Sequence, residues 1–378
     1  MQFIDLKSQY KHLKSRIDER IHTVLDHGKY IMGPEVLELE QKLAEYVGVK
    51  HVITCANGTD ALQLALMALN IGPGDAVFCP TFTFFATAEA ISFVGATPVF
   101  VDSDEETFNI CPKDLRKRII KIKDEGKLKL KAIMPVDLFG LPADYPKLNK
   151  IAKEYNMLVI EDAAQGFGGE IDGQKAGSFG DIATTSFFPA KPLGCYGDGG
   201  ALFTNDDDIA ELLRSYRVHG KGSDKYDNVR IGMNSRLDTI QAAILLEKLT
   251  DFPQELSNRN DVARHYNSSL LNNFLLTPKT PTGFISSWAQ YSLRAENSTT
   301  RQEIMQNLKN EEIPSVIYYA KCLHLQTAFK YLTYIEGDFP IAEKISTRVF
   351  SIPMSGYISK DTASLVIKKV NKSNNSQS

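Results

Sequence analysis

From residue 51 to about 205, short β-rich runs alternate with stretches of helical periodicity. "HVITCA" precedes "TDALQLALMALN", "DAVFCP" precedes "FFATAEAISFVG", and "TPVFVD" precedes a helical stretch over Pro112–Lys123. "KAIMPVD" leads to "DYPKLNKIAKEYN", after which "MLVIEDA" is apolar and β-rich again. Such alternation predicts an α/β domain built on a largely parallel sheet. "DIATTSFF" and "GALFTN" read as further strands of that sheet, and "DIAELLRSYRV" as the helix after them. "SRLDTIQAAILLEKLTDF" has helical spacing; Pro253 and the polar "QELSNRNDVARHYNSSL" predict a break and a second long helix leading outward. "PKTPTG" marks a loop, "SWAQYSLRA" a strand, and "TTRQEIMQNLKNEE" a helix opened by a capping box, with Thr299 facing Gln302 or Thr300 facing Glu303. The expected organisation is a large α/β domain over residues 1–254, with a helical N-terminal segment, and a smaller α+β domain over 255–378 that ends in a frayed "NKSNNSQS" tail.

Composition narrows the class. Of 378 residues, 43% are hydrophobic and 24% charged, which is ordinary for a globular chain and excludes disordered or fibrous types. Lys and Arg number 43 against 46 Asp and Glu, so a net charge of −3 gives no basic field for nucleic acid and no cationic membrane anchor. The five cysteines, Cys55, Cys79, Cys111, Cys195 and Cys322, show no CxxC spacing, and their odd number argues against a disulfide framework. The opening "MQFIDLKSQYKHLKSRI" is charged throughout and lacks the apolar core of a secretion signal, and no run approaches a membrane span. A cytoplasmic protein handling small molecules is expected.

Three stretches carry candidate chemistry. In "CANGTDALQLAL" a strand gives way to a helix through Asn57, Gly58 and Thr59. A helix start offers unpaired N–H groups and a positive dipole end, so this is either a phosphate seat or an ordinary cap formed by Asn57 or Thr59. In "LVIEDAAQGFG" an apolar strand runs into Glu161 and Asp162, with Gln165 three residues on. A carboxylate there lies where ligands bind in α/β sheets and needs a cationic partner; a helix cap or magnesium ligand fits the same residues. In "SFFPAKPLGC" Lys191 sits among two aromatics, two prolines and an alanine, five residues after Ser186. Such surroundings suit an amine that has lost part of its preference for the charged form, as a Schiff-base lysine requires, although a surface lysine with a buried stem satisfies the pattern too.

Read jointly, the stretches follow an order of phosphate seat, carboxylate and lysine. Pyridoxal phosphate needs those three together with an aromatic plane, which "PTFTFFATAEA" supplies. No metal is called for. From "FIDLKSQY" and "YIMGPEVLELE" through "ANGTDAL", "EDAAQ" and "SFFPAKPLGCYGDGGALFTND" to "GMNSRLDTIQAAIL", the chain resembles the DegT/DnrJ/EryC1/StrS sugar-nucleotide aminotransferases, within the fold-type-I pyridoxal-phosphate enzymes. It looks most like the branch acting on UDP-linked 3-oxo sugars, in particular the aminotransferases of 2-acetamido-3-oxo-glucuronate. The resemblance implies a large, mostly parallel central sheet flanked by helices, and a smaller C-terminal α+β domain. It also implies that Lys191 links to the cofactor, Asp162 holds the pyridine nitrogen, Gln165 bonds the ring hydroxyl and Phe84 stacks on the ring. Gly58, Thr59 and Ser186 would cradle the phosphate, and Asn234 would reach it from the neighbouring subunit of a homodimer with shared sites. L-glutamate is the implied donor and a nucleotide-linked keto sugar the acceptor, serving amino-sugar synthesis for surface polysaccharide such as lipopolysaccharide O-antigen.

The sequence departs from the resemblance near residue 318. Many relatives have His-Tyr-Pro-x-Pro-Leu where this chain reads "IYYAKCLHLQ", so Tyr318 stands at the usual histidine. That bears on sugar recognition and leaves the cofactor chemistry intact. Arg236 in "NSRLD" is either a partner for a sugar carboxylate or a structural arginine at a helix start. Relatives with histidine at the lysine position act as dehydratases, so Lys191 favours transamination. Acceptors of other classes, dTDP-3-oxo or NDP-4-oxo-6-deoxy sugars, are the alternative within the family. Of the other function classes, a dinucleotide-dependent sugar dehydrogenase or epimerase lacks its glycine fingerprint here, and a non-catalytic pyridoxal-phosphate-binding regulator lacks a DNA-binding extension.

Overall fold

The computed structural model describes residues 1–224, 226–270 and 274–372. Two helices, Leu6–His27 and Pro34–Val47, precede strand β1 (His51–Cys55). Strands β2 (Asp75–Pro80), β3 (Thr97–Val101), β4 (Lys129–Ile133) and β5 (Leu158–Asp162) follow, each reached through a helical crossover. A short hairpin, β6 (Glu170–Ile171) and β7 (Gln174–Lys175), leads to β8 (Ile182–Ser186) and β9 (Gly200–Thr204). Seven of these form one sheet in the order β1-β9-β8-β5-β4-β2-β3, in which β9 alone runs against the rest. The runs are buried on both faces, as strands covered by helices must be. One apolar cluster, with Leu64, Ile91 and Leu213, covers one face; another, with Leu115, Leu148 and Ile151, covers other sheet side chains, Phe78 and Val99 among them.

Because β1, β2, β5 and β8 share a direction, their carboxyl ends deliver Asn57, Thr81–Phe84, Asp162 and Ser186 to one edge of the sheet. Register fixes the meeting: Cys55 and Ser186 both pair with Gly200, and Asp162 pairs with Thr184.

Beyond residue 274 come β10 (Leu275–Leu276), β11 (Phe284–Ile285), β12 (Tyr291–Ala295) and β13 (Val349–Ile352). Strands β10, β12 and β13 form a three-stranded sheet whose core includes Leu293, Ile304, Phe350 and Val366, while β11 joins β6 and β7 in a small third sheet. The third sheet had no counterpart in the sequence pattern, since its strands are two residues long.

Two local expectations are corrected. The break at Pro253 is absent: one helix runs Thr239–Ser269 with the proline inside. An interior proline costs about 3 kcal/mol, but this helix buries Phe252, Val262 and Tyr266, each worth about 1.5–3 kcal/mol, so packing outweighs local preference. The helix of the "TTRQEIMQNLKNEE" stretch begins at Ser298, and its cap is Asn297, whose Oδ1 accepts from Thr300 N–H at 2.9 Å, in place of a threonine capping box. The "NKSNNSQS" tail lies outside the described residues after its first two, which close the helix Lys360–Lys372. No helix among the described residues is long and apolar enough to cross a membrane.

Candidate functional site

The helix after β1, Gly58–Ala68, starts at the sheet edge, and Asn57 caps it by accepting Asp60 N–H at 2.8 Å. The cap and the anion seat are therefore compatible: Asn57 satisfies one amide of the first turn and leaves those of Gly58 and Thr59 facing the edge. A Cβ on Gly58 would lie 2.7 Å from Ser186 Cβ, and one on Gly200 would lie 2.5 Å from the Asn57 carbonyl oxygen. Glycine at both positions brings the helix start, the end of β8 and the start of β9 into direct contact, with the Ser186 hydroxyl beside the open amides.

Asp162 ends β5, buried, its carboxylate accepting from Thr87 Oγ1 at 3.1 Å and from Ala164 N–H at 3.2 Å. Burial pushes its carboxyl up, opposed by the Ala164 amide, by Lys191 and by the Thr87 hydroxyl. Two neutral donors leave a buried carboxylate short of a cation, and a protonated ring nitrogen is one. Burial likewise pushes the Lys191 amine down, and the charge of Asp162 holds it partly up. Each charge thus offsets part of the other's burial. Lys191 stands in a loop that doubles back on itself, with Lys191 N–H on the Phe188 carbonyl and Cys195 N–H on the Phe187 carbonyl, both at 2.8 Å.

Behind Asp162 lie two further buried carboxyls. Glu161 accepts from Gly177 N–H at 2.5 Å and Phe179 N–H at 2.8 Å, and desolvation pushes it to about 7. Asp137 accepts from Ala143 N–H at 3.0 Å and Tyr145 O–H at 2.8 Å; burial and the Glu161 charge push it well up. The Asp137 main chain also braces the strand end, its N–H bonding the Asp162 carbonyl at 3.0 Å.

Gln165 is oriented at both ends: Oε1 accepts from Phe139 N–H at 2.8 Å, and Nε2 donates to Tyr319 Oη at 3.3 Å. One Nε2 hydrogen remains for a ligand oxygen. Phe84 is 54% exposed and leans on the Tyr319 ring at 6.2 Å, so one aromatic face borders the edge. Tyr318 is half-buried between Phe3 and Tyr319. Asn234 and Arg236 lie with Asn57 and Gly197 along an open cavity, where Arg236 Nη2 donates to Asn234 Oδ1 at 2.5 Å. Sequence reasoning missed Thr87, Asp137 and Tyr319. Only Tyr319 carried a signal, as the neighbour of the singled-out Tyr318. Among the described residues, no group of three or more His, Cys, Asp or Glu side chains could hold a metal.

The donors and acceptors at this edge fit one group: anion-binding amides with a hydroxyl, an aromatic face, an oriented amide, a buried carboxylate and a desolvated amine. Fold and site together define a fold-type-I aminotransferase dependent on pyridoxal 5′-phosphate. Residues 11–371 match the DegT/DnrJ/EryC1/StrS aminotransferase family, and the chain belongs to it. It is 46% identical over 97% of its length, and 98% of the other's, to a UDP-2-acetamido-2-deoxy-3-oxo-D-glucuronate aminotransferase of Pseudomonas aeruginosa. Its backbone matches the crystal structure of a DegT DnrJ EryC1 StrS aminotransferase from Brucella abortus at a TM-score of 0.95, with 51% identity over 98% of this chain and 99% of that one. It also matches Ntda from Bacillus subtilis with bound pyridoxamine phosphate, at a TM-score of 0.87 and 28% identity, covering 98% and 83%.

Proposed function

We propose that this aminotransferase moves an amino group from L-glutamate to C3 of a UDP-linked 3-oxo sugar, in cytoplasmic synthesis of an amino sugar for surface polysaccharide such as lipopolysaccharide O-antigen. The observation that carries it is the meeting of Gly58, Ser186, Asp162 and the Lys191 loop at one sheet edge, in a chain 46% identical to a 3-oxo-glucuronate aminotransferase. When bound, the cofactor supplies an electron sink for breaking the bond to the donor's α-hydrogen. Lys191 would hold it through its amine, and the same amine is the group placed to move a proton at the donor's α-carbon. Asp162 would face the ring nitrogen and favour its protonated form, and Gln165 would give its remaining N–H to the ring oxygen. Phe84 covers the ring. The amides of Gly58 and Thr59 and the Ser186 hydroxyl hold the phosphate. Arg236 pairs with the sugar carboxylate, and Tyr318 lines the acceptor side. Residues 1–254 act as the large cofactor-binding unit and 255–378 as the small one, sharing the helix Thr239–Ser269.

The acceptor is testable by preparing the pyridoxamine form and adding keto sugar nucleotides one at a time. UDP-2-acetamido-2-deoxy-3-oxo-glucuronate is expected to restore the yellow form fastest. The analogue without the carboxylate should be about 10- to 100-fold slower, as loss of one charged hydrogen bond predicts. A dTDP-linked sugar reacting faster than both would overturn the nucleotide assignment.

The same reading makes the enzyme a homodimer in which Asn234 of one protomer reaches the other's phosphate. The exposed apolar side chains of Phe188, Val229 and Ile231, the last 89% exposed, support such an interface. Mixing inactive Lys191→Ala and Asn234→Arg chains should restore activity, because one site of each heterodimer carries neither lesion. Verified heterodimers as inactive as their parents would mean that the site is built within one chain.

A further inference from the structure

We propose that Lys248 is a positioning residue for Lys191, gripping the reactive loop through the carbonyl of Gly194. Lys248 lies in the first third of the Thr239–Ser269 helix and is 3% exposed, yet it takes no part in the chemistry described above. Its Nζ donates to the Gly194 carbonyl oxygen at 2.6 Å and lies 4.1 Å from the centroid of the Tyr196 ring. Tyr196 is held in turn by Tyr10, edge-on at 5.9 Å, and by its own N–H on Gln241 Oε1 at 2.8 Å. The ammonium is therefore fixed between a carbonyl and an aromatic face, and both belong to the segment that follows Lys191.

The loop explains why that grip matters. Pro189 and Pro192 fix their own φ, and backbone hydrogen bonds close the base at Phe187 and Cys195. The remaining freedom includes the return turn at Gly194, where a Cβ would meet the Pro189 carbonyl oxygen at 2.5 Å and the Phe188 carbonyl oxygen at 2.6 Å. The turn is too tight for any side chain, so its orientation is held from outside, through its carbonyl. A charge-assisted hydrogen bond is the strong form of such a contact. Burial pushes Lys248 down to about 8, so keeping an ammonium here costs stability, a cost that an apolar residue of equal length would avoid.

The inference rests on Lys191 being the residue that links to the cofactor, and its test separates the two. Lys248→Met keeps the length and removes the donor; Lys248→Arg keeps a cationic donor. In cofactor-free Lys248→Met, amides of residues 187–196 should exchange hydrogen faster while those of β4 and β5 are unchanged. On adding pyridoxal phosphate, coupling to Lys191 should be about 10- to 100-fold slower, the scale of one lost charged hydrogen bond, with Lys248→Arg restoring most of the rate. Unchanged exchange and coupling, or loosening spread evenly over the sheet, would overturn the proposal. Should Lys248→Met fail to fold, Lys248→Gln, which removes the charge and shortens the reach to the Gly194 carbonyl, takes its place with the same two readouts, and unchanged loop exchange and coupling in it overturn the tether. If loop exchange rises but the cofactor is linked elsewhere than Lys191, the tether stands and the assignment of Lys191 fails.

Discussion

Lys191→Ala incubated with pyridoxal phosphate is expected to lack the absorbance band of the lysine-linked cofactor, and borohydride should fix no cofactor at this position. Turnover with any amino donor should fall by at least about 10³-fold, since tether and proton carrier disappear together and general acid–base catalysis alone accounts for about 10²–10⁴. The fold should survive. The side chain is at the tip of a loop whose closure uses main-chain atoms, Lys191 N–H to Phe188 and Cys195 N–H to Phe187, and alanine retains both bonds. Removing the amine relieves its own burial cost but also takes away a charge that opposes the burial of Asp162, so the unfolding midpoint should change little. Wild-type colour and turnover in this variant would rule out Lys191 as the linking residue.

Much of this site was legible in sequence because its parts are short-range signals placed at strand ends. Asn57-Gly58-Thr59 marks a strand-to-helix turn, Glu161-Asp162 closes an apolar run, and Lys191 stands out against its apolar neighbours. Periodicity named the strands of the main sheet because helices cover both faces and leave continuous apolar runs. Partners set by topology were not legible. Thr87 meets Asp162 across 75 positions and Tyr319 meets Gln165 across 154, and no local pattern encodes either distance. Lys248 looked like one of many charged residues on a helix, since its burial follows from which face the Thr239–Ser269 helix lays against the reactive loop. Pro253 misled for a related reason: the proline penalty is local, whereas the burial of Phe252 and Tyr266 that outweighs it is tertiary. The direction of β9 is set by the loop of residues 187–199, which doubles back from the end of β8, and spacing alone does not orient it.

Asp162→Asn should separate cofactor binding from chemistry. The amide can keep both present contacts: its oxygen accepts from Ala164 N–H, and its NH₂ donates to the Thr87 hydroxyl, which turns from donor to acceptor. The strand end is also braced by Asp137 N–H on the residue's carbonyl, so the fold is expected to persist, free of one buried charge. What is lost is the anion facing the ring nitrogen. Removing a preorganised charge of this kind costs about 10²–10³ in rate, and the loss should fall on the half-reaction with glutamate, while the phosphate seat at Gly58, Thr59 and Ser186 retains much of the cofactor affinity. A second readout needs no cofactor. The Asp162 charge raises the Lys191 amine, so its removal shifts Lys191 further down, and in the cofactor-free variant Lys191 should become reactive toward an amine reagent at lower pH than in the wild type. The sign is fixed: an anion stabilises the protonated amine, and without it the neutral form gains. A variant in which Lys191 titrates as before and glutamate reacts at the wild-type rate would show that Asp162 faces neither the amine nor the ring nitrogen.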